Sequence, residues 1–197
     1  MSYIDASLQV FTNNIVSLVS IYKESELARN RSSIELKENI KSWSEIEQKR
    51  LSHYVFHFES VLVQSLFISG FSYFEHFMKD AVETLEEKSN SEIKFHDIKG
   101  KGFLESYRKY LYLVGNLPSA TSDSELWEKI LDYRVYRDVI IKNTLKYFDE
   151  IKKVEDHAEY FEKEDPISHS LNGQILEEFV STVISYMSCI AKELKNL

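Results

Sequence analysis

An arginine and an aspartate share the apolar face of a predicted helix between Trp127 and Leu145. Arg134 and Asp138 are four residues apart, and each helical residue turns by about 100°, so both side chains project from that face. Side chains at this spacing can form an ion pair, which among apolar neighbours either fixes helix packing or takes part in catalysis. We expect Arg134 and Asp138 to pair and to be at least partly buried, with packing as the main role.

Arg137 and Lys142 flank the same face and are candidates for holding an anion. They lie about 140° apart on an ideal helix, so one anion contacts both only through a distortion, through their long side chains, or through a second copy of the chain. A guanidinium suits a phosphate, whereas a free lysine with a pKa near ~10.4 is an ammonium at neutral pH. Asp138, one turn away, would raise that pKa further. Lys142 is therefore predicted to bind an anion and to be a poor general base.

Glu75 is a further charged residue in apolar surroundings. It directly follows a long uncharged run, Ser60–Phe74, whose 15 residues are too few for a membrane span of about 20. An unpaired buried carboxylate is costly, so Glu75 either has a partner or lies at the boundary of the helix and faces water. The sequence predicts a buried core helix here and no membrane contact.

Apolar residues recur at helical spacing in every long segment, which predicts an all-α fold. Two stripes stand out: Ile4, Leu8, Phe11, Ile15, Leu18 and Tyr22 in a helix over about 3–28, and Ile175, Phe179, Val183, Met187, Ile190 and Leu194 in the last helix. A break is expected near Arg29–Ser33. Ser42–Glu45 and Ser44–Glu47 both have capping-box spacing, and the next helix runs to about Lys88. A straight helix of that length would span roughly 65 Å, so we expect a kink or break within it, with Gly70 as its weak point.

Shorter helices are predicted over 103–114 and 125–143, separated by loops, and the acid-rich stretch 149–165 is predicted to be a solvated helix or an irregular excursion. The chain has 197 residues, with 2 Pro, 5 Gly and a single cysteine. These values predict one helical domain over residues 1–197, which includes helix 3–28, and a reducing, cytoplasmic location. No signal peptide is visible. There is also no phosphate loop, nucleophile elbow or cysteine pair for zinc, so we expect no metal and no cofactor.

The formal net charge of -8 excludes a chain that grips nucleic acid with its whole surface. Any RNA contact must be local. The best candidate face combines, beside Arg137 and Lys142, the basic residues Lys99, Lys101, Arg108, Lys109 and Arg134. An ordinary mixed surface is the alternative for these side chains, and an acidic protein could instead cover a basic partner.

Four features in order resemble the prokaryotic HEPN domains, helical bundles of toxin–antitoxin and phage-defence systems. They are the aromatic stretch Phe71–Phe77 with Glu75 inside it, the loop and short helix starting at Gly100–Leu104, the segment Trp127–Asn143, and a closing amphipathic helix. The family motif is an Arg, usually followed by Asn, with a His four to six residues on that is often followed by Asn. Arg137 and Asn143 match the first and last of these positions. Asp138 stands where Asn is usual, and Lys142 stands where the His belongs.

The resemblance implies a HEPN-like core over about 45–195, on which helix 3–28 packs, and a homodimer with two motifs facing each other. Active members are metal-independent endoribonucleases in which the His assists attack of a ribose 2′-hydroxyl on the phosphate and the Arg stabilises the developing charge. The implied site comprises Arg137, Lys142, Asp138 and Asn143, with Glu75 in support.

Three interpretations follow from the altered motif. The first is a catalytically degenerate HEPN-like protein that acts by dimer formation and by binding RNA or a cognate partner protein. The second is an active endoribonuclease with an atypical site at Arg137 and Lys142. The third is an unrelated helical interaction module. Loss of positioned acid–base catalysis costs ~10²–10⁴ in rate, which favours the first interpretation over the second.

Overall fold

The helical spacing of apolar residues corresponds to five α-helices in this computed structural model, which describes residues 3–39, 44–142 and 173–197. In chain order the helices are α1 (Tyr3–Asn39), α2 (Glu45–Lys88), a 3-10 helix (Phe95–Asp97), α3 (Phe103–Leu113), a second 3-10 helix (Pro118–Ala120), α4 (Glu125–Lys142) and α5 (Gly173–Lys195). Within these ranges there is no strand, and the predicted all-α class is confirmed. The acid-rich stretch 149–165 lies outside the described residues.

The helix α2 is the centre of the bundle and packs against each of the other four α-helices. Both predicted stripes face inward, because their residues are buried or pack against the buried core. Polar contacts fix the relative heights of three helices at one end of the bundle. Ser7 of α1 donates to Asp80 Oδ2 of α2 at 2.6 Å, and Asp5 of α1 pairs with Lys195 of α5. At the other end Lys23 of α1 lies 3.1 Å from Glu177 of α5, so α1 and α5 run antiparallel.

The expected break in α2 does not occur, because Gly70 serves packing rather than bending. A Cβ at this position would lie 2.7 Å from Phe179 Cε1 and 3.3 Å from Leu18 Cδ1. Phe179 fills this space and stacks on Phe71 with ring centroids 4.6 Å apart, while Phe67 lies 4.9 Å away. The absence of a side chain lets α1, α2 and α5 approach closely, and the contact outweighs the helix-weakening effect of glycine.

The expected break near Arg29–Ser33 is also absent, since α1 continues to Asn39. Gly173 at the start of α5 lies against the ring of Tyr22, so α1 extends past that level by about 25 Å at the standard helical rise. The capping box at the start of α2 is confirmed for Ser44, whose backbone N–H donates to Glu47 Oε2 at 2.8 Å. The first helix is therefore an integral, longer part of the bundle than the predicted range 3–28.

Short elements attach α3 and α4 to the central helices. Ser119 in the second 3-10 helix donates its hydroxyl to Glu193 Oε1 of α5 at 2.5 Å, and Lys88 at the end of α2 donates to the Leu194 carbonyl at 2.6 Å. In the described part of the chain, none of the helices has both the length and the apolar character needed to cross a membrane.

Candidate functional site

Arg137 of α4 joins two carboxylates from different parts of the chain. Its Nη1 donates to Glu75 Oε1 of α2 at 2.6 Å, while Nη2 and Nε donate to Asp138 Oδ1 at 2.8 and 3.1 Å. The guanidinium lies over the ring of Phe71, 5.4 Å from its centroid. Three of the predicted site residues are thus in direct contact, and Glu75 has the partner that its apolar surroundings require.

These three residues, Arg137, Glu75 and Asp138, form the Arg137 cluster, which contains two carboxylates and one guanidinium. All three nitrogens of Arg137 donate to carboxylate oxygens, and the side chain is 19% exposed. A phosphate approaching Arg137 would meet Glu75, which is 40% exposed, and would have to compete with the charge-assisted bonds that already engage each of the three guanidinium nitrogens. The arrangement can hold α2 and α4 together, but it does not present a free positive charge.

The predicted ion pair between Arg134 and Asp138 is wrong. The Asp138 carboxylate is occupied by Arg137, the adjacent residue, whose long side chain reaches back to it. Arg134 instead donates from Nη2 to the carbonyl of Lys101 at 3.0 Å, in the loop before α3. The backbone carbonyl of that loop satisfies the guanidinium, so Arg134 ties α4 to α3 and remains at the surface.

Arg108 is wrong as a member of the RNA-binding face, because it lies in the core with 5% of its surface exposed. Its Nη2 and Nε donate to Glu105 at 2.8 and 3.2 Å, and its Nη1 donates to the Ala120 carbonyl at 2.7 Å. Its guanidinium lies 5.5 Å from the ring centroid of Trp127. These partners satisfy the buried charge and connect α3 to the second 3-10 helix and to α4.

The remaining predicted basic residues divide between two sides of α3. Lys109 donates to the Lys99 carbonyl at 3.3 Å, and both residues line an open cleft of about 410 Å³. Asp97 and Asp123 line the same cleft, so its charge is mixed. Lys101 is exposed and belongs with Arg134 on the other side. A single continuous basic face is therefore not formed.

A series of stacked aromatic rings next to Lys101 was missed from the sequence. Phe95 and Tyr107 stack with centroids 4.9 Å apart and planes at 23°, and Phe103 stacks on Tyr107 at 6.4 Å and 28°. Phe103, the first residue of α3, is 76% exposed. The only sequence signal was a large aromatic residue directly after the glycine-containing loop Gly100–Gly102, at a position where a helix begins.

The phenol of Tyr107 connects this series to the Arg137 cluster. Burial raises the pKa of Tyr107, Lys79 acts in the opposite direction, and the negative charges of Glu75 and Glu83 raise it again. Tyr107 therefore lies within electrostatic range of Glu75, the residue that binds Arg137.

Lys142 is the last residue of α4, and the final motif residue, Asn143, lies outside the described residues. Within residues 3–39, 44–142 and 173–197, no three histidine, cysteine or carboxylate side chains are grouped so that they could hold a metal ion. No protein-family model matches the chain, and no curated protein or solved structure is significantly similar to it.

Proposed function

We propose that this chain is a HEPN-like helical protein of a prokaryotic defence or toxin–antitoxin system, and that it binds RNA as a homodimer without cleaving it. Support for the family comes from the order of its helices and from the motif residues Arg137 and Asn143. Support for binding without cleavage comes from the altered motif and from the contacts of Arg137.

The observation that carries the proposal is the occupation of Arg137 by Glu75 and Asp138. An arginine that stabilises a phosphoryl transition state must direct its donors at the charge that develops there. Here the three guanidinium nitrogens already donate to carboxylates, and the cluster carries one more negative charge than positive. Cleavage would require this arrangement to open, at the cost of two charge-assisted contacts.

Lys142 stands where RNA cleavage needs a general base, which is the second group that the reaction requires. A general base must lose its proton near neutral pH, and an ordinary lysine ammonium does not. Lys142 can hold a phosphate but cannot accept the proton of a ribose hydroxyl. The chain therefore retains a role for anion contact and lacks the acid–base step.

The proposed dimer is supported by the position of the motif on one helix. Arg137 and Lys142 diverge around α4, and two copies related by a dyad would bring both residue types to one shared groove. A cognate protein partner would bind the same assembly in a toxin–antitoxin pair.

The test is cleavage of a mixed RNA pool in EDTA by the purified chain and by Lys142→His. We expect cleavage near background for the natural chain and a partial gain for Lys142→His, because an imidazole titrates near neutral pH. RNA binding by fluorescence anisotropy and sedimentation of the dimer complete the measurement. Cleavage by the natural chain that Lys142→Ala abolishes would show that the lysine is catalytic. A purely monomeric chain without RNA affinity would contradict the proposal.

A further inference from the structure

We propose that Phe103, backed by Tyr107, is a stacking platform for one unpaired RNA base, and that the phosphate beside that base contacts Arg134 and Lys101. The inference rests on the proposed RNA binding and gives it a place on the molecule. It also separates the place where RNA is held from the Arg137 cluster.

The platform is the outer end of the three-ring series described above. Phe95 and Tyr107 are half-buried, whereas Phe103 projects to solvent at the start of α3. The ring planes of both pairs are inclined by less than 30°, and the exposed ring of Phe103 offers a surface in water on which a flat aromatic group can lie. A base on this ring covers apolar surface that is otherwise in water, and every base offers such a face.

The backbone before Phe103 holds the ring in this position. Gly102 has φ of 131°, a conformation that side-chain-bearing residues rarely adopt, and its carbonyl accepts the N–H of Ser106 at 3.0 Å. The loop therefore turns sharply into α3, and the first side chain of the helix is directed away from the bundle. A glycine at this point places the exposed aromatic and the preceding lysine side by side.

Two cations border the platform. Arg134 Nη2 donates to the Lys101 carbonyl at 3.0 Å and would lie 3.4 Å from a Cβ on Gly102, so its guanidinium is next to the residue before Phe103. Lys101 is exposed, and its ammonium makes no ion pair or hydrogen bond with the described part of the chain. The acids Glu75 and Asp138 are both bound to Arg137, whose charge offsets one of their two negative charges.

This combination favours single-stranded RNA over an acidic polypeptide or a duplex. A run of carboxylates would satisfy Lys101 and Arg134 but offers nothing flat for Phe103. A duplex offers phosphates, while its bases remain stacked on one another and cannot reach the ring. Only an unpaired base with its own phosphate uses both the aromatic face and the cations.

The test is fluorescence anisotropy of a short labelled single-stranded RNA against the full chain and Phe103→Ala. Loss of one base stack weakens binding by about 5- to 150-fold. Phe103→Trp, which keeps an aromatic face, is expected to bind as the natural chain does. Tyr112→Ala is the matched control, because Tyr112 is an exposed aromatic of the same helix on the opposite, cleft side. Lys101→Gln is expected to reduce the salt dependence by about one phosphate contact.

The outcomes separate this inference from the proposed function. RNA binding that Phe103→Ala and Tyr112→Ala reduce equally would overturn the platform and leave the proposed function standing. Equal affinity for single-stranded and duplex RNA would overturn it as well, since a duplex cannot stack on Phe103. A natural chain that binds polyglutamate but no RNA would contradict both the stacking platform and the proposed function. If Phe103→Ala unfolds at the same temperature as the natural chain, its loss of RNA affinity comes from the lost contact and not from unfolding.

Discussion

Replacing Arg108 with leucine gives the sharpest test of its position in the core. The substitution leaves Glu105 without its two hydrogen bonds and leaves the Ala120 carbonyl without its donor. It also removes the cation that lies over Trp127. Breaking a buried ion pair from one side costs about 3–5 kcal/mol. The Glu105 side chain is 18% exposed and can regain some water, so we take the lower limit of about 3 kcal/mol.

The assay is thermal unfolding followed by circular dichroism, with urea unfolding for the free energy. For a domain of this size 1 kcal/mol shifts the midpoint by about 2–4 °C, so Arg108→Leu is expected to lower it by roughly 6–12 °C. Lys109→Leu is the matched control, because the neighbouring lysine contacts only the Lys99 carbonyl among the described residues. It should change stability by less than about 0.5 kcal/mol.

A further comparison distinguishes the core role from an RNA-contacting role. Below its unfolding transition, Arg108→Leu should retain the RNA affinity of the natural chain. The guanidinium is only 6% exposed beside the cleft and already donates to Glu105 and to the Ala120 carbonyl. The reasoning fails if Arg108→Leu is as stable as Lys109→Leu and binds RNA less well. That result would place the side chain of Arg108 on the surface, as the sequence suggested.

Three further perturbations test other parts of the structure. Asp138→Asn leaves Phe103, Lys101 and Arg134 in place, so RNA affinity in anisotropy should stay nearly unchanged, whereas a rise of about fivefold (~1 kcal/mol at contact distance) would show that phosphate contacts the Arg137 cluster instead. Gly70→Ala should lower the free energy of unfolding in urea by about 1 kcal/mol, because overpacking against Phe179 exceeds the gain in helix propensity; a more stable variant would contradict the close contact. Burial raises the pKa of Tyr186, so the folded chain keeps this proton after the unfolded chain has lost it, and stability should fall above pH 10 by up to about 1.4 kcal/mol per pH unit. Tyr186→Phe should flatten that loss, and an unchanged alkaline slope would count against burial of the phenol.

The helices were predictable because apolar side chains recur at the spacing of one helical face. The stripes of α1 and α5 follow directly from this pattern, and both face the core. The breaks were not predictable in the same way. Gly70 weakens an isolated helix, but in the bundle it allows the ring of Phe179 to approach α2. A tertiary contact therefore decided the continuity of α2, and local propensity pointed to the opposite result.

The site was predictable only as a set of charges that needed partners. Glu75 and Arg137 are separated by 62 residues, and the sequence showed an unusual carboxylate at one and a candidate phosphate ligand at the other. Their pairing depends on how α4 crosses α2. The burial of Arg108 did have a sequence signal, because it shares one helical face with Leu104 and Leu111, which are both buried. The positive charge of Arg108 instead suggested an exposed side chain that contacts RNA.

In the proposed function, an acidic chain binds RNA through contacts that act at short range. The formal net charge of -8 repels a phosphate chain, but at physiological salt charges farther than about 8 Å are largely screened. Stacking on Phe103 does not depend on net charge, and Lys101 and Arg134 lie close enough to a bound phosphate to act within the screening length. With two cations neutralised, the logarithm of the affinity should fall with the logarithm of salt by a slope of only about −1.4. A slope several times steeper would mean that a wider basic surface holds the RNA. Because Arg108 is buried and Lys99 and Lys109 line the cleft on the other side of α3, that surface would have to include basic residues away from Phe103.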